Sequence, residues 1–548
     1  MSRLEAVIAP TSMTPPSSNR PHAGLERLEA ALEAVRRQCP ALPVLAIRWM
    51  HVKHPLHPVQ LRLLREHVGI TGELIEPTEP PGALTRWIRP TLLRRMGQCV
   101  FYASYLSGRL LRLRLALRRD LAALTRQSFD VLIKTCCFGP ARPSDGSDFY
   151  FGDLQQRLTQ RGVRTLLLCG NVRRGSWTAF ARAHTAVLPL ARVPELALLS
   201  AWAPFRLMRS QLSASFRLRR LARAMRDPLI THISLLASHD CLAPDTTRAA
   251  LYFWIMKTAV RLWRPRAFVT LYEGHAWEAC ARWGVKAEDA SCQTVGYQHT
   301  AVFPESLSLT MPSHATAVPV RMVPDVVLGL GQVPLDLMAP GHARAKTRFV
   351  RFGSFRFHRA HASRPAPHRR RMILVTPEGI LSEAQVLFEF AWACAQRLPD
   401  YTFVLRCHPE VPLANIVRRL SVDLAAQPNL QVSDRPLIEE DFARSSALLY
   451  RGSSTVLYAV LHGLLPLYVH LPTRLDRDPL YHLSAWHQRC ASPEDLAEQL
   501  DRYEQAPMER VEAEWTNAVQ YVRDYTGPVG DEHIEAFLTA IGLQGGVR

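Results

Sequence analysis

Four short segments carry the residue types that chemistry needs, and each follows a run of strand-forming apolar residues. Tyr272-Glu273-Gly274-His275 follows 267–271, and Gln298-His299-Thr300 follows 294–297. Arg406-Cys407-His408-Pro409 follows 401–405, and Gly452-Ser453-Ser454-Thr455 follows 448–450 with Arg451 between. A carboxylate at a strand end, Glu273, suits removal of a proton from an acceptor hydroxyl. His299 could orient that acceptor or act as base in its place, with Gln298 and His275 alongside. Gly452, Ser453, Ser454 and Thr455, opening a helix, offer amide and hydroxyl donors and the positive end of a helix dipole, a cradle for phosphate. It is not a Walker loop, because no Gly-Lys-Ser/Thr follows at the required spacing. Arg406 and His408 add a cation and a proton donor at the same mouth. Asp148 and Asp153 bracket DFYFGDL (148–154) in a strand-to-helix loop, where they would contact an acceptor. Each group also has a plainer reading: helix cap, ion-paired carboxylate, or histidine bonded to backbone.

These segments need a scaffold that delivers strand ends to one place. Strand and helix patterns alternate through 128–172, 267–300, 325–353 and 371–472, which implies parallel sheets with ligands beyond the carboxyl ends of their strands. At 548 residues, the chain exceeds one core and predicts two domains of roughly 200–250 residues. The expected fold class is α/β, two Rossmann-like doubly wound domains facing a cleft, with helical insertions in the first. A Pro/Ser-rich arm, 1–24, is expected to be disordered. Residues 25–310 would form the first domain, with the boundary in the Pro/Ser/Thr-rich 301–322. Residues 323–510 would form the second, and the helices of 511–548 could pack back on the first.

The formal net charge of +19 is concentrated. Ten arginines and one acid, Asp120, fall within 86–126, and seven arginines within 206–226. Basic helices interleaved with leucine and aromatics suit an anionic membrane surface. Nucleic acid would attract the same charge, but no helix-turn-helix, zinc-finger or RNA-binding aromatic motif accompanies it, so no specific nucleic-acid partner is expected. A solvated arginine-rich face is the third reading. No window offers eighteen uncharged apolar residues, and the first residues lack the apolar core of a signal peptide. The expected location is cytoplasmic, as a peripheral protein on the inner face of the cytoplasmic membrane. Eleven cysteines without a Cys-x-x-Cys pair read as buried thiols, not as a zinc site or disulfide framework. His51, His54 and His57, set among prolines, lack a fixed metal-binding geometry. No metal and no cofactor are expected.

Taken in order, these segments resemble the motifs of two-domain GT-B glycosyltransferases, especially bacterial surface-carbohydrate enzymes that use CMP-activated sialic-acid-type or Kdo sugars. That family carries an acidic-acidic-Gly motif, a His-Pro motif and a Ser-rich motif. Tyr272-Glu273-Gly274, His408-Pro409 and Ser453-Ser454-Thr455 resemble the three, within a span of about 128–472. DFYFGDL and GYQHT (296–300) also resemble segments of bacterial surface-carbohydrate biosynthesis proteins. The resemblance implies an acceptor-binding first domain and a nucleotide-sugar-binding second domain. Glu273 would be the general base, His408 would contact the nucleotide phosphate and protonate the departing group, and Ser453 and Ser454 would bind phosphate. The implied partners are a nucleotide-sugar donor, CMP-sugar favoured, and a lipid-linked saccharide acceptor of lipopolysaccharide, O-antigen or capsule. Tyr272 departs from the family pattern by replacing the first acidic residue, and Thr300 stands where glycine is expected. The chain is read as lacking an Asp-x-Asp motif of the metal-dependent kind, which fits an inverting transfer in which His408, Arg406 and a helix terminus meet the leaving charge. The rivals are a CDP-glycerol-type polyol-phosphate transferase and a non-catalytic basic α/β protein that binds nucleic acid.

Overall fold

The computed structural model describes residues 33–38, 81–137 (81–91 by backbone alone), 146–171, 176–304, 306–310, 320–357, 362–365, 371–409, 411–472, 474 and 476–543. The expected arm 1–24 and the histidine-rich 51–58 lie outside them.

Short apolar runs that are buried on both faces become parallel strands, as expected for sheets covered by helices on each side. Among the described residues, thirteen strands form two sheets. β1 (Val131–Cys137), β2 (Thr165–Asn171), β3 (Ala191–Pro194), β4 (Ala267–Leu271), β5 (Gln293–Tyr297), β6 (Val326–Gly329) and β7 (Arg348–Arg351) make the first, in the order β3-β2-β1-β4-β5-β6-β7. β8 (Met372–Pro377), β9 (Thr402–Leu405), β10 (Leu430–Val432), β11 (Ala447–Arg451), β12 (Leu465–Val469) and β13 (Gln488–Cys490) make the second, in the order β10-β9-β8-β11-β12-β13. Every pairing is parallel. The winding direction reverses between β1 and β4 in one sheet and between β8 and β11 in the other. Ligands of open α/β sheets sit at such reversals. The expected fold class, two doubly wound α/β domains, is the one observed.

The domain boundary moves. β6 pairs with β5, and β7 with β6, so 323–357 completes the first sheet and does not open the second domain. The second sheet begins at β8. A βαβ pattern is the same in either sheet, and only long-range pairing assigns it.

The C-terminal helices tie the halves together. Along Met508–Tyr525, Trp515 donates its indole N–H to the Val460 carbonyl at 2.7 Å in the second domain. At the helix end, the Val302 amide of the first domain donates to the Tyr525 hydroxyl at 2.9 Å. The last helix, Asp531–Ala540, packs back on the first domain, where Arg161 reaches Asp531 at 3.0 Å and Glu535 at 2.7 Å. The two arginine-rich stretches fall mainly on Pro81–Ala116 and Ala203–Ala224. Their inner faces meet through Cys99, Leu106, Leu110 and Leu113 on one helix and Leu207, Ala214 and Leu218 on the other. This is the helical insertion predicted for the first domain.

Candidate active site

In the first domain the chemistry gathers at the β1/β4 reversal. The Glu273 carboxylate, just beyond β4, is 15% exposed and lies 2.9 Å from His299 Nε2 and 3.4 Å from His275 Nε2. Its backbone is pinned by a residue the sequence reading passed over. Glu278, fully buried at the third position of the helix Ala276–Glu288, accepts the amides of Glu273 at 3.1 Å and Gly274 at 3.0 Å. A glutamate three residues into a helix commonly reaches back in this way, so His275-Ala276-Trp277-Glu278 held the signal. His299 is buried, and the Tyr150 ring meets it edge-on at 4.6 Å. Tyr272, in place of the family's first acidic residue, turns inward and its hydroxyl lies 2.6 Å from His342 Nε2.

Asp148 organises this half from behind. It accepts the Thr135 hydroxyl at 2.8 Å and the Tyr150 and Phe151 amides at 2.9 Å each. Burial raises its carboxyl above the usual range, against those bonds. It therefore sets Tyr150 against His299, where an acceptor contact was expected. Asp153 stands at the N-cap of its helix without a side-chain cap bond; it is half-exposed and pairs with Arg157 at 2.9 Å. Gln298 is fully buried, accepting the Leu330 amide at 2.9 Å and donating to the Thr300 carbonyl. It fastens the β5 end to the β6 end, and its full burial withholds it from an acceptor.

In the second domain the ends of β8, β9 and β11 come together. Gly452 takes φ +72, and a Cβ there would meet the Glu378 carboxylate at 2.6 Å. Glu378, from the turn after β8, thus lies against the serine-rich loop, paired with Arg477 at 3.0 Å. Burial raises the Glu378 carboxyl above its usual range, and Arg477 opposes that shift. His408 stands on the same side: a Cβ at Gly379 would touch its ring at 3.0 Å. Ser453 is buried and accepts the Thr455 amide at 3.4 Å, while Ser454 at the N-cap makes no side-chain cap bond.

Arg406 does not join them. Its guanidinium donates to Asp441 at 2.6 Å and to the carbonyls of Arg435 at 3.1 Å and Pro436 at 3.2 Å. Those residues follow β10, on the side of β9 away from β8 and β11. Asp476-Arg477-Asp478 has the Asp-x-Asp spacing that the sequence reading missed. Asp476 pairs with Arg489 at 2.7 Å, and Asp478 accepts the Tyr450 hydroxyl at 2.7 Å and bonds His487. Both carboxylates are held by protein partners.

Residues 354–357 link the two clusters. The Arg356 guanidinium lies 5.4 Å from the Phe149 ring centroid and 6.0 Å from that of Tyr150, beside the first. Its carbonyl accepts the hydroxyl of Tyr458 at 2.9 Å, on the helix that follows Ser454. The chain around Arg356, FGSFRFHR (352–359), carries no local signal of these neighbours.

No protein-family model matches the chain, and no curated protein matches it. Solved structures of similar layout include the glycosyltransferase of kitacinnamycin, 14% identical, covering 76% of this chain and 98% of that one at a TM-score of 0.41. An alpha,alpha-trehalose 6-phosphate synthase from Burkholderia multivorans is 12% identical over 77% of this chain and 100% of its own, at 0.44. The UDP-GlcNAc 2-epimerase of Methanocaldococcus jannaschii, in complex with UDP-GlcNAc and UDP, is 7% identical over 72% of this chain and 99% of its own, at 0.39. Likeness at this level leaves the chemistry to be argued from the chain's own residues.

Proposed function

We propose that the chain is a glycosyltransferase that moves a sugar from a nucleotide donor to an acceptor hydroxyl, with Glu273 as general base. The observation that carries the reading is the pairing of two strand-end clusters, one at each sheet reversal, joined through Arg356. One holds a buried carboxylate–histidine pair and the other a glycine-serine loop with a histidine. In the transfer, the acceptor hydroxyl gives its proton to Glu273 as its oxygen bonds to the sugar's anomeric carbon and the bond from that carbon to the donor phosphate oxygen breaks. His299 holds the carboxylate in place. Ser453, Ser454 and Thr455 would hold the phosphate and His408 would protonate the departing oxygen, whereas the Gly452 amide, expected in the same cradle, donates to the Arg477 carbonyl at 3.0 Å. With Arg406 committed to Asp441, Arg477 and Arg356 are the cations best set to meet the leaving charge. CMP-sugar is the favoured donor, and a lipid-linked surface saccharide the favoured acceptor.

Thermal melts with CMP, CDP, UDP, GDP and ADP test the reading. A ligand at a hundred times its dissociation constant should add about 2.7 kcal/mol. Stabilisation by CMP alone supports a CMP-sugar, a shift with UDP or GDP keeps the transferase and changes the donor, and CDP alone favours the polyol-phosphate rival. No shift with any nucleotide overturns the proposal. Because a carboxylate beside the loop repels phosphate, Glu378→Gln should enlarge whichever shift is seen.

We also propose that the arginine-rich helices rest on an anionic bilayer. Leu93, Phe101, Leu115 and Trp202 are each 65–73% exposed on the same surface elements as Arg94, Arg112, Arg118 and Arg206. Apolar side chains standing among cations suit a lipid surface better than nucleic acid, which would leave them in water. Among the described residues, no helix is long and apolar enough to cross a membrane. The protein should co-sediment with phosphatidylglycerol-containing vesicles and not with neutral ones. Phe101→Ser with Leu115→Ser should weaken that binding; unchanged binding would discard this surface.

A further inference from the structure

The parallel register of β1 and β2 aligns Thr135 with Cys169 and Cys137 with Asn171. Thr135, Cys137 and Cys169 therefore share one face of the sheet, at the carboxyl ends of two neighbouring strands. The helix Trp177–Ala183 ends at His184, whose ring stacks on Phe180 at 4.4 Å and is buried against the same place. The two thiol sulfurs and an imidazole nitrogen lie within 4.8 Å of one another. The other cysteines that burial hides are dispersed through the cores.

We infer that Cys137, Cys169 and His184 bind one zinc-class divalent cation. Two thiolates and an imidazole are the donor set that favours zinc over hard, oxygen-seeking ions. Metal–sulfur and metal–nitrogen bonds of about 2.0–2.3 Å set tetrahedral donors roughly 3–4 Å apart, within reach of side-chain rotation for donors that lie within 4.8 Å of one another. Ligation as thiolates sets two negative charges against the dication, so the finished site is electrically neutral. Desolvation therefore does not oppose the exchange as it would oppose a bare ion. Cys137 is only half-buried and gives the ion a way in. Three protein ligands leave the fourth tetrahedral position to water or to a small donor. The site would pin the ends of β1 and β2 two residues beyond Thr135, which holds Asp148 and through it Tyr150. It would therefore stiffen the first-domain half of the cleft, whether or not the chain transfers a sugar.

Cobalt(II) titration of reduced, metal-free, full-length protein tests this inference. The expected result is saturation at one equivalent, with the near-ultraviolet thiolate-to-cobalt charge-transfer band and visible bands of a tetrahedral site, bleached by zinc. Cys137→Ser and Cys169→Ser should each abolish the charge-transfer band. Cys136→Ser should keep it, because the Cys136 sulfur faces Lys134 at 3.0 Å on the other side of the strand. The wild-type titration needs no variant to fold. A folded wild-type protein that develops no such band overturns the inference, and so does a band that survives both Cys137→Ser and Cys169→Ser.

Discussion

Glu273→Gln is expected to lower turnover by about 10²–10⁴-fold, the usual contribution of a positioned general base, while nucleotide affinity stays at the wild-type value. The substitution keeps the side chain's shape and an acceptor oxygen for His299, which stands 2.9 Å away. The backbone is also kept, because Glu278 and not Glu273 receives the local amides. The variant loses only the capacity to take a proton. Single-turnover rates at saturating donor, beside nucleotide melts on the same sample, separate the two effects. An unchanged rate would place the base elsewhere, with His299 next to be tried. A fall in rate and affinity together would make Glu273 a structural residue.

Arg451→Ala should cost about 3–5 kcal/mol of stability, the loss seen when one partner of a buried ion pair is removed. Arg451 is 1% exposed; its Nε reaches Glu383 at 2.6 Å, and its Nη1 donates to the Tyr468 hydroxyl at 2.9 Å and the Val469 carbonyl at 3.0 Å. Removing it strips three buried acceptors and leaves Glu383 to Arg474 alone, 2.8 Å away. Arg474 is itself one-third exposed, so Arg474→Ala should cost no more than about 1 kcal/mol. Burial pushes the Glu383 carboxyl up, but Arg451 and Arg474 together hold it below its usual range. A depressed carboxylate contributes stability that is present above its unfolded pKa and lost as pH falls through its folded one. The acid-side loss of stability should therefore shrink in Arg451→Ala. Urea unfolding across that range measures both effects, and a cost for Arg451→Ala as small as that for Arg474→Ala would refute the buried-pair account. The result bears on the site because Arg451 immediately precedes Gly452 and the serine loop.

Local order along the chain was enough to recognise strand, turn and helix in alternation, and with it the α/β class and the strand ends at Glu273, His299, His408 and Ser453. The reason is physical: a strand buried on both faces must be apolar throughout, and the chain leaves it through a polar turn. Residue type and strand end were therefore legible, but direction and neighbour were not. Arg406 stands one residue past β9, as expected, yet its guanidinium reaches Asp441 because β10 and not β11 lies on that side. Gln298 and Asp148 sit at the expected loops, but their polar atoms are consumed by Leu330 and by the Tyr150 and Phe151 amides. β6 and β7 were recognisable as strands, but hydrogen bonding to β5 gave them to the first sheet. Glu378 stands in the turn after β8, and only the fold brings Gly452, 74 positions later in the numbering, against its carboxylate. Cys137, Cys169 and His184 have no motif spacing, because sheet register and not chain proximity gathers them. Which segments become strands, and which residues stand at their ends, was written in the chain itself, since burial acts on each segment locally. Which of those ends meet was settled by the folded molecule alone, because strand order and register depend on contacts between residues far apart in the chain.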